Sequence, residues 1–262
     1  LGTIVGGIIA SMEGVNLGLT AAVVVVAIIG YLASRFIPEC PPTAPELKIG
    51  CNPFKETWAM VRQARENRSV YLSILGISWF WLLGSVLLTQ IPNLTKTTLH
   101  GNSTVVTLIL SVFTIAVAIG SLVCERMSGA RIEIGIVPLG AFGMSVAGID
   151  LYFAMNELAP HNTVAWLGFL GLDGVVRLLV DFGLVGFFGG MFIVPLYALI
   201  QMRTPVARRA RIIAVNNIMN AVFMVSGAGL SILCLGLAGL SIPEFLLIAM
   251  LMNIAVSAFI FH

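Results

Sequence analysis

Residues 104–124, TVVTLILSVFTIAVAIGSLVC, decide the fold, because no charged side chain interrupts them. A helix needs about 20 mainly apolar residues to cross a bilayer. The stretch is too long and too continuous for a strand, and it lacks the alternation of polar and apolar residues typical of a membrane barrel. It therefore predicts a transmembrane α-helix, whose backbone satisfies its own hydrogen bonds in lipid.

The rest of the chain repeats this pattern. Comparable apolar runs occupy 1–12 (a partial span), 17–37, 70–91, 132–154, 175–200, 212–237 and 243–261. The chain is 58% hydrophobic and 10% charged, whereas a soluble domain carries about 25% charged residues. This composition excludes a soluble globular domain and a disordered chain. The net charge of +2 is too small to indicate a nucleic-acid partner. We expect an all-α, multi-pass membrane protein.

A polar segment divides the chain. Prolines block a helix early in residues 38–69, and its later part, 53–68, predicts a short amphipathic helix with Phe54, Trp58 and Val61 roughly on one side. We interpret 38–69 as a cytoplasmic linker. It follows the end of one bundle, 1–37, and precedes a six-helix bundle, 70–262. Because the first run is incomplete, we expect the chain to be a piece of a longer protein.

The basic residues support this topology. Lys and Arg concentrate in cytoplasmic loops of membrane proteins. Of the 14 basic residues, Lys96 and Arg177 alone lie outside the linker with its edges and the loops at 124–133 and 201–211. These three segments alternate along the chain, so the pattern places them on one side of the membrane.

Polar side chains inside the spans are candidate substrate contacts, because burying them in lipid is costly. Asn216, Asn217 and Asn220 open one span, and at spacings of three and four they share a helix face in part. They either form hydrogen bonds to a neighbouring helix or line a cavity. We favour the interhelical hydrogen bonds and keep the cavity-lining role as the alternative. Gln90 precedes Pro92, which suggests a broken helix end that faces a cavity. Trp79 and Trp81 fall near mid-helix, and we expect them to face lipid, with a cavity role for Trp79 as the alternative.

Acidic residues near the expected outer surface are further candidates. Asp150 is a candidate for proton coupling, because low-dielectric surroundings disfavour a charged carboxylate. We expect it instead to reach the outer interface. Asp173, Arg177 and Asp181 are four residues apart and predict a solvated stripe of mutual pairs at a helix that begins near 175.

Catalytic and metal-binding patterns are missing from the sequence. His100, His161 and His262 are far apart, and no GxSxG, P-loop or HExxH motif occurs. The four cysteines show no CxxC spacing. We therefore expect no catalytic residues, no metal and no cofactor.

The loop GSLVCERMSGAR at 120–131 resembles the short loop signature of the major facilitator superfamily, with Glu in place of Asp and the acid–Arg pair displaced by one residue. The resemblance implies a two-bundle transporter of which 70–262 is the C-terminal six-helix half. It also implies a charge latch at the cytoplasmic helix ends. The latch candidates are Gly120, Glu125, Arg126, Gly129 and Arg131.

A narrower resemblance is carried by three stretches: GSLVCERMSGARIEIGIVPLGAFGMS at 120–145, GFFGGMFIVPLYALIQMRTP at 186–205 and RRARIIAVNNIMNA at 208–221. They resemble the bacterial lysophospholipid transporter family. The resemblance implies movement of lysophosphatidylethanolamine across the bacterial inner membrane for re-acylation, with membrane lipid and lysophospholipid as partners. In some bacteria this module is fused to an acyltransferase and an acyl carrier protein synthetase.

Two alternatives stay open. The chain is the membrane module of such a fused enzyme with little transport of its own, or it is a transporter of the same fold for another amphipathic solute.

Overall fold

A computed structural model describes residues 16–38, 52–129, 133, 135–158 and 162–261, together with Gly2 and Gly6. Its helices are α1 (Asn16–Ser34), α2 (Pro53–Arg65), α3 (Arg68–Thr97), α4 (Ser103–Ser128), α5 (Ile136–Glu157), α6 (Trp166–Leu170), α7 (Val175–Arg203), α8 (Val206–Ser231, continued as a π-helical segment Ile232–Leu237) and α9 (Ile242–Phe261). No strand forms within these ranges, and an isolated bridge joins Gly101 to Val164. The all-α prediction is confirmed.

Six helices are long and apolar enough to cross a membrane: α3, α4, α5, α7, α8 with its extension, and α9. They correspond to the six predicted spans. Helix α1 is shorter in its apolar part, Thr20–Ser34, and leaves side chains such as Val26 exposed. The partial span at 1–12 lies outside the described residues except for Gly2 and Gly6, as does linker segment 39–51. The division into 1–37, 38–69 and 70–262 stays a prediction.

Side-chain caps fix where several helices begin. The Oδ1 atom of Asn67 accepts hydrogen bonds from the backbone N–H groups of Ser69 and Val70, at 3.1 and 3.3 Å, and so starts α3. Asn102 caps α4 in the same way. Gly129 ends α4 with φ of 51°, a conformation that glycine adopts without strain.

Two predicted helix ends are wrong. Helix α3 continues through Pro92 to Thr97 instead of breaking there, because neighbouring helices and polar side chains allow proline inside a membrane helix. Helix α8 begins at Val206 rather than 212, since its first turns carry arginines that hydropathy alone places outside the span.

Close helix packing in the bundle depends on glycine. Helix α7 lies against α4 and α5. At Gly190, a Cβ atom would overlap the carbonyl oxygen of Val117 and lie 2.8 Å from the backbone nitrogen of Ser121. At Gly186, it would lie 2.6 Å from the carbonyl oxygen of Phe113. The glycine spacing in GFFGG thus lets the backbones of α4 and α7 meet.

The amphipathic helix α2 packs on the start of α8. Ala64 is buried and Val61 packs on the core, whereas Phe54 and Trp58 are 86% and 68% exposed, so the predicted face is only partly covered. Arg208 on α8 pairs with Glu66 at 3.3 Å, and Arg211 lies 4.0 Å from Glu56. The linker helix and the loop at 201–211 therefore share one end of the bundle, as the basic residues predict.

Candidate functional site

A groove of about 560 Å³ runs between α5 and α7. Apolar side chains form most of its wall, and Phe142 and Val146 are 69% and 50% exposed, so the groove opens at the surface of the described bundle. Two carboxylates, Asp150 and Asp181, lie along the same wall. Its full lining is Leu139, Phe142, Gly143, Val146, Ala147, Ile149, Asp150, Phe153, Asp181, Leu184 and Phe188.

Arg177 joins the two helices at the charged end of the groove. Its Nη2 and Nε atoms donate to Asp150 at 2.6 and 3.1 Å, and its Nη1 atom donates to Glu157 at 2.7 Å. All three groups are near the end of α5 and the beginning of α7, opposite the arginine-rich end. The predicted stripe of pairs along α7 is therefore wrong, because Arg177 pairs with α5 instead of its own helix. Asp150 is held in an ion pair and does not simply extend into solvent.

Asp181 lies one turn further along α7, about 6 Å deeper than Arg177 at 1.5 Å per residue. It is 4% exposed, and its Oδ2 atom has no hydrogen-bond partner among the described residues. The prediction of a solvated cap is wrong for this residue, since the turn of helix buries it between α5 and α7. A buried, unpaired carboxylate oxygen is costly, so it favours a ligand that donates a hydrogen bond or carries positive charge.

The groove therefore combines an apolar wall with a charged end. Its volume lies within the range of about 300–1,000 Å³ that small-molecule sites occupy. Such an arrangement suits an amphiphile, whose tail follows the apolar wall while its head group meets Asp181 and the Arg177 cluster.

The three asparagines singled out from the sequence have different surroundings in the structure. Asn220 is buried and accepts a hydrogen bond of 2.9 Å from the Oγ atom of Ser78, which joins α8 to α3. Asn216 is 2% exposed, and its Oδ1 atom has no partner among the described residues. Asn217 is exposed. None of the three lines the groove, and the contact at Asn220 is of the interhelical kind.

Trp79 belongs to a buried polar network. Its Nε1 atom donates to the Oδ1 atom of Asn253 at 2.8 Å. The amide of Asn253 donates in turn to the carbonyl of Ala141 and to the Oγ atom of Ser145, at 3.0 and 2.9 Å. The network ties α3, α9 and α5 together. The expected lipid-facing position is wrong for Trp79, which is 4% exposed, whereas Trp81 is 38% exposed.

Sequence reasoning missed Asn253, although a single amide in the run MLMNIAVS is a visible signal. It also missed the partners of Arg177, because Asp150 and Glu157 lie on a different helix. Gln90 is buried at 6% exposure, its Oε1 atom has no partner among the residues that the structure describes, and it does not line the groove.

The latch candidates lie at the arginine-rich end of α4. Gly120 packs so closely on α7 that a Cβ atom there would overlap the carbonyl oxygen of Phe187. Glu125 and Arg126 are exposed, and neither forms an ion pair with another described residue. Arg131 lies outside the described residues. The latch stays a prediction.

Within the described ranges, no cluster of three or more His, Cys, Asp or Glu residues is arranged to hold a metal ion.

The chain is similar to curated proteins named "Lysophospholipid transporter LplT" from two strains of Klebsiella pneumoniae, 342 and ATCC 700721 / MGH 78578. Each is 28% identical over 240 residues, which cover 88% of this chain and 53% of the relative. The chain thus spans about half the length of the curated relatives it matches. No protein-family model and no solved structure matches it. The resemblance stated from the sequence is confirmed, and with six membrane-capable helices it supports a multi-pass protein of the bacterial inner membrane.

Proposed function

We propose that the chain is the C-terminal part of a secondary transporter that moves lysophospholipid across the bacterial inner membrane by alternating access. The observation that carries the proposal is the amphipathic groove between α5 and α7, with Asp181 and the Arg177 cluster at one end. The similarity to the two lysophospholipid transporters supports the substrate class.

The shape of the groove fits a lipid with one acyl chain. Its apolar wall is open at the surface, at Phe142 and Val146, so a chain can enter sideways from the bilayer without crossing a polar barrier. The charged end lies opposite the arginine-rich end, so the positive-inside rule puts it at the outer head-group region. A substrate that is half lipid and half polar matches both parts.

The carboxylates at the charged end of the groove favour one kind of lipid head group. Asp150 is already paired with Arg177, whereas Asp181 offers a buried carboxylate oxygen with no partner in the described structure. An ammonium group satisfies that oxygen by charge and by hydrogen bonding. We therefore propose lysophosphatidylethanolamine as the preferred substrate, taken up for re-acylation by a fused or separate acyltransferase on the cytoplasmic side.

Uptake of labelled lysophosphatidylethanolamine by vesicles containing the intact protein tests the proposal. The Asp181→Asn substitution removes the charge with little change in volume. We expect uptake to fall about tenfold or more, since a hydrogen bond to a charged group contributes about 1.5–3 kcal/mol. Asp173→Asn is the matched control, because Asp173 precedes α7, is exposed and does not line the groove.

Wild-type vesicles that take up no lysophospholipid above protein-free vesicles would contradict the proposal and favour a membrane module without transport of its own. A second candidate is a transporter of another cationic amphiphile, which the buried Asp181 also favours. Competition separates the two: an excess of a single-chain quaternary amine should inhibit uptake less than unlabelled lysophosphatidylethanolamine does.

A further inference from the structure

A second cavity, of about 240 Å³, lies at the arginine-rich end of the bundle, opposite the charged end of the groove. Two helix–turn–helix segments border it. Gln63 at the end of α2 and Asn67 in the turn before α3 line one side. Arg203 at the end of α7, Thr204 in the following turn and Arg208 in the first turns of α8 line the other. Hydrogen-bond donors thus reach the cavity from both sides.

Thr204 contributes an unsatisfied hydroxyl group to the cavity wall. The residue lines the cavity and is 5% exposed, and its Oγ1 atom is buried without a hydrogen-bond partner among the described residues. Buried hydroxyl groups are nearly always paired, because leaving one unpaired costs about 1–3 kcal/mol. A ligand oxygen at this hydroxyl would supply the missing acceptor.

The electrostatics of the cavity favour an anion. Arg203 and Arg208 line it, and Arg203 has no acidic partner within the described residues. Helix α8 begins at Val206 beside the cavity, and no side chain in the described part of the chain caps it. Its first N–H groups and the positive end of its dipole therefore attract negative charge. At Asn67, Oδ1 is used to cap α3, which leaves the amide N–H groups as donors.

Glu66 is the one carboxylate in the lining. It pairs with Arg208 at 3.3 Å, and its side chain is 66% exposed. Because it lies mostly in solvent, it can leave Arg208 to an incoming anion at little cost.

We propose that this cavity binds a phosphate group, held by Arg203, Arg208, the Thr204 hydroxyl and the start of α8. Arginine and helix N-termini are the usual partners of tetrahedral phosphate oxygens. The phosphate belongs either to a phospholipid head group of the adjacent leaflet or to free inorganic phosphate. The site is separate from the groove and goes beyond the proposed transport function.

Binding to the intact protein, purified in a maltoside detergent free of phosphate, tests the inference. One arm titrates inorganic phosphate by calorimetry against a chloride background. The other adds phosphatidylethanolamine to the delipidated protein and counts the molecules retained in native mass spectrometry. Phosphate binding in the first arm identifies free phosphate as the source, and retention in the second arm alone identifies the lipid head group.

The variants decide whether the cavity is the site. Thr204→Val and Arg203→Gln should each weaken binding about tenfold, since each removes a hydrogen bond to a charged group. Glu66→Gln should strengthen it several-fold, because it removes a competing negative charge. Arg62→Gln, a loss of one exposed charge on α2 outside the cavity, should change affinity less than about twofold.

The inference is overturned if neither probe binds, or if Thr204→Val and Arg203→Gln bind as the wild-type protein does. An equal loss in Arg62→Gln would also overturn it, since the effect would then be one of net charge. Retained melting temperatures separate lost binding from lost folding, and Glu66→Gln gives a gain that misfolding does not produce. Uptake through the groove is measured separately, so either proposal can fail alone.

Discussion

Arg177 on α7 holds Asp150 on α5 through two hydrogen bonds, of 2.6 and 3.1 Å, across the charged end of the groove. The planar guanidinium matches a carboxylate in this two-point geometry, which lysine does not reproduce. The pair therefore fixes how α5 and α7 meet at the point where the groove begins.

Arg177→Lys should reduce uptake of lysophosphatidylethanolamine about three- to tenfold, because one of the two hydrogen bonds to Asp150 is lost. The double variant Arg177→Lys with Asp150→Asn should be hardly worse than the more severe single variant, since the residues act as a unit. Fully additive losses would mean that Arg177 and Asp150 act independently.

Gly190→Ala should destabilise the bundle by about 1–3 kcal/mol, the usual cost of overpacking. Its new methyl group would overlap the carbonyl of Val117 on α4. The fraction of protein that remains monodisperse in detergent after heating measures the effect. Gly183→Ala is the control, because its methyl group would lie 3.5 Å from Val112, an ordinary contact. Equal stability of the two variants would contradict the close contact between α4 and α7 at Gly190.

Asn253→Ala should lower the stability of the bundle by about 1–2 kcal/mol, because three interhelical hydrogen bonds of modest strength are lost together. Trp79→Phe removes one of them and leaves the buried Oδ1 atom of Asn253 unpaired, so it should also cost about 1–3 kcal/mol. The transition midpoint in detergent reports both values. Trp81→Phe breaks only a partly exposed bond to Tyr197 and should leave the midpoint nearly unchanged.

Asn220→Ala should lower stability by about 0.6 kcal/mol, an average interhelical bond, because Ser78 loses its acceptor. Asn217→Ala should leave stability unchanged, since Asn217 is exposed. A cavity-lining role for Asn217 stays the alternative prediction. Because Asn217 does not line the groove, its substitution should also leave uptake unchanged, and reduced uptake at normal expression would favour the alternative.

The sequence predicts which residues form helices, but not which side of each helix is buried. Lipid requires long apolar rods, so runs such as 104–124 identify the spans without any knowledge of contacts. Which side of a rod is buried depends on its neighbours, which an amphipathic pattern reveals only when one face meets water. The sequence therefore predicts that Trp79 faces lipid and Asp181 faces solvent, whereas both are buried between helices.

The exact helix ends and the pairing of residues at the groove are also hard to predict, because both depend on contacts between helices. Arginines at the start of α8 continue the helix although they end the apolar run, so composition placed that end six residues late. Asp150 and Arg177 were each singled out from the sequence. Their pairing across two helices requires the fold, because 27 positions separate them along the chain.

Photo-crosslinking locates the substrate most directly. A lysophosphatidylethanolamine with a diazirine in its acyl chain is bound to the intact protein, irradiated, and its attachment sites are mapped by mass spectrometry. The account predicts labels on the groove wall of α5 and α7, at residues such as Phe142, Val146 and Leu184, and their loss in Asp181→Asn but not in Asp173→Asn. Labels confined to α8 around Asn216, with none on α5 or α7, would contradict it.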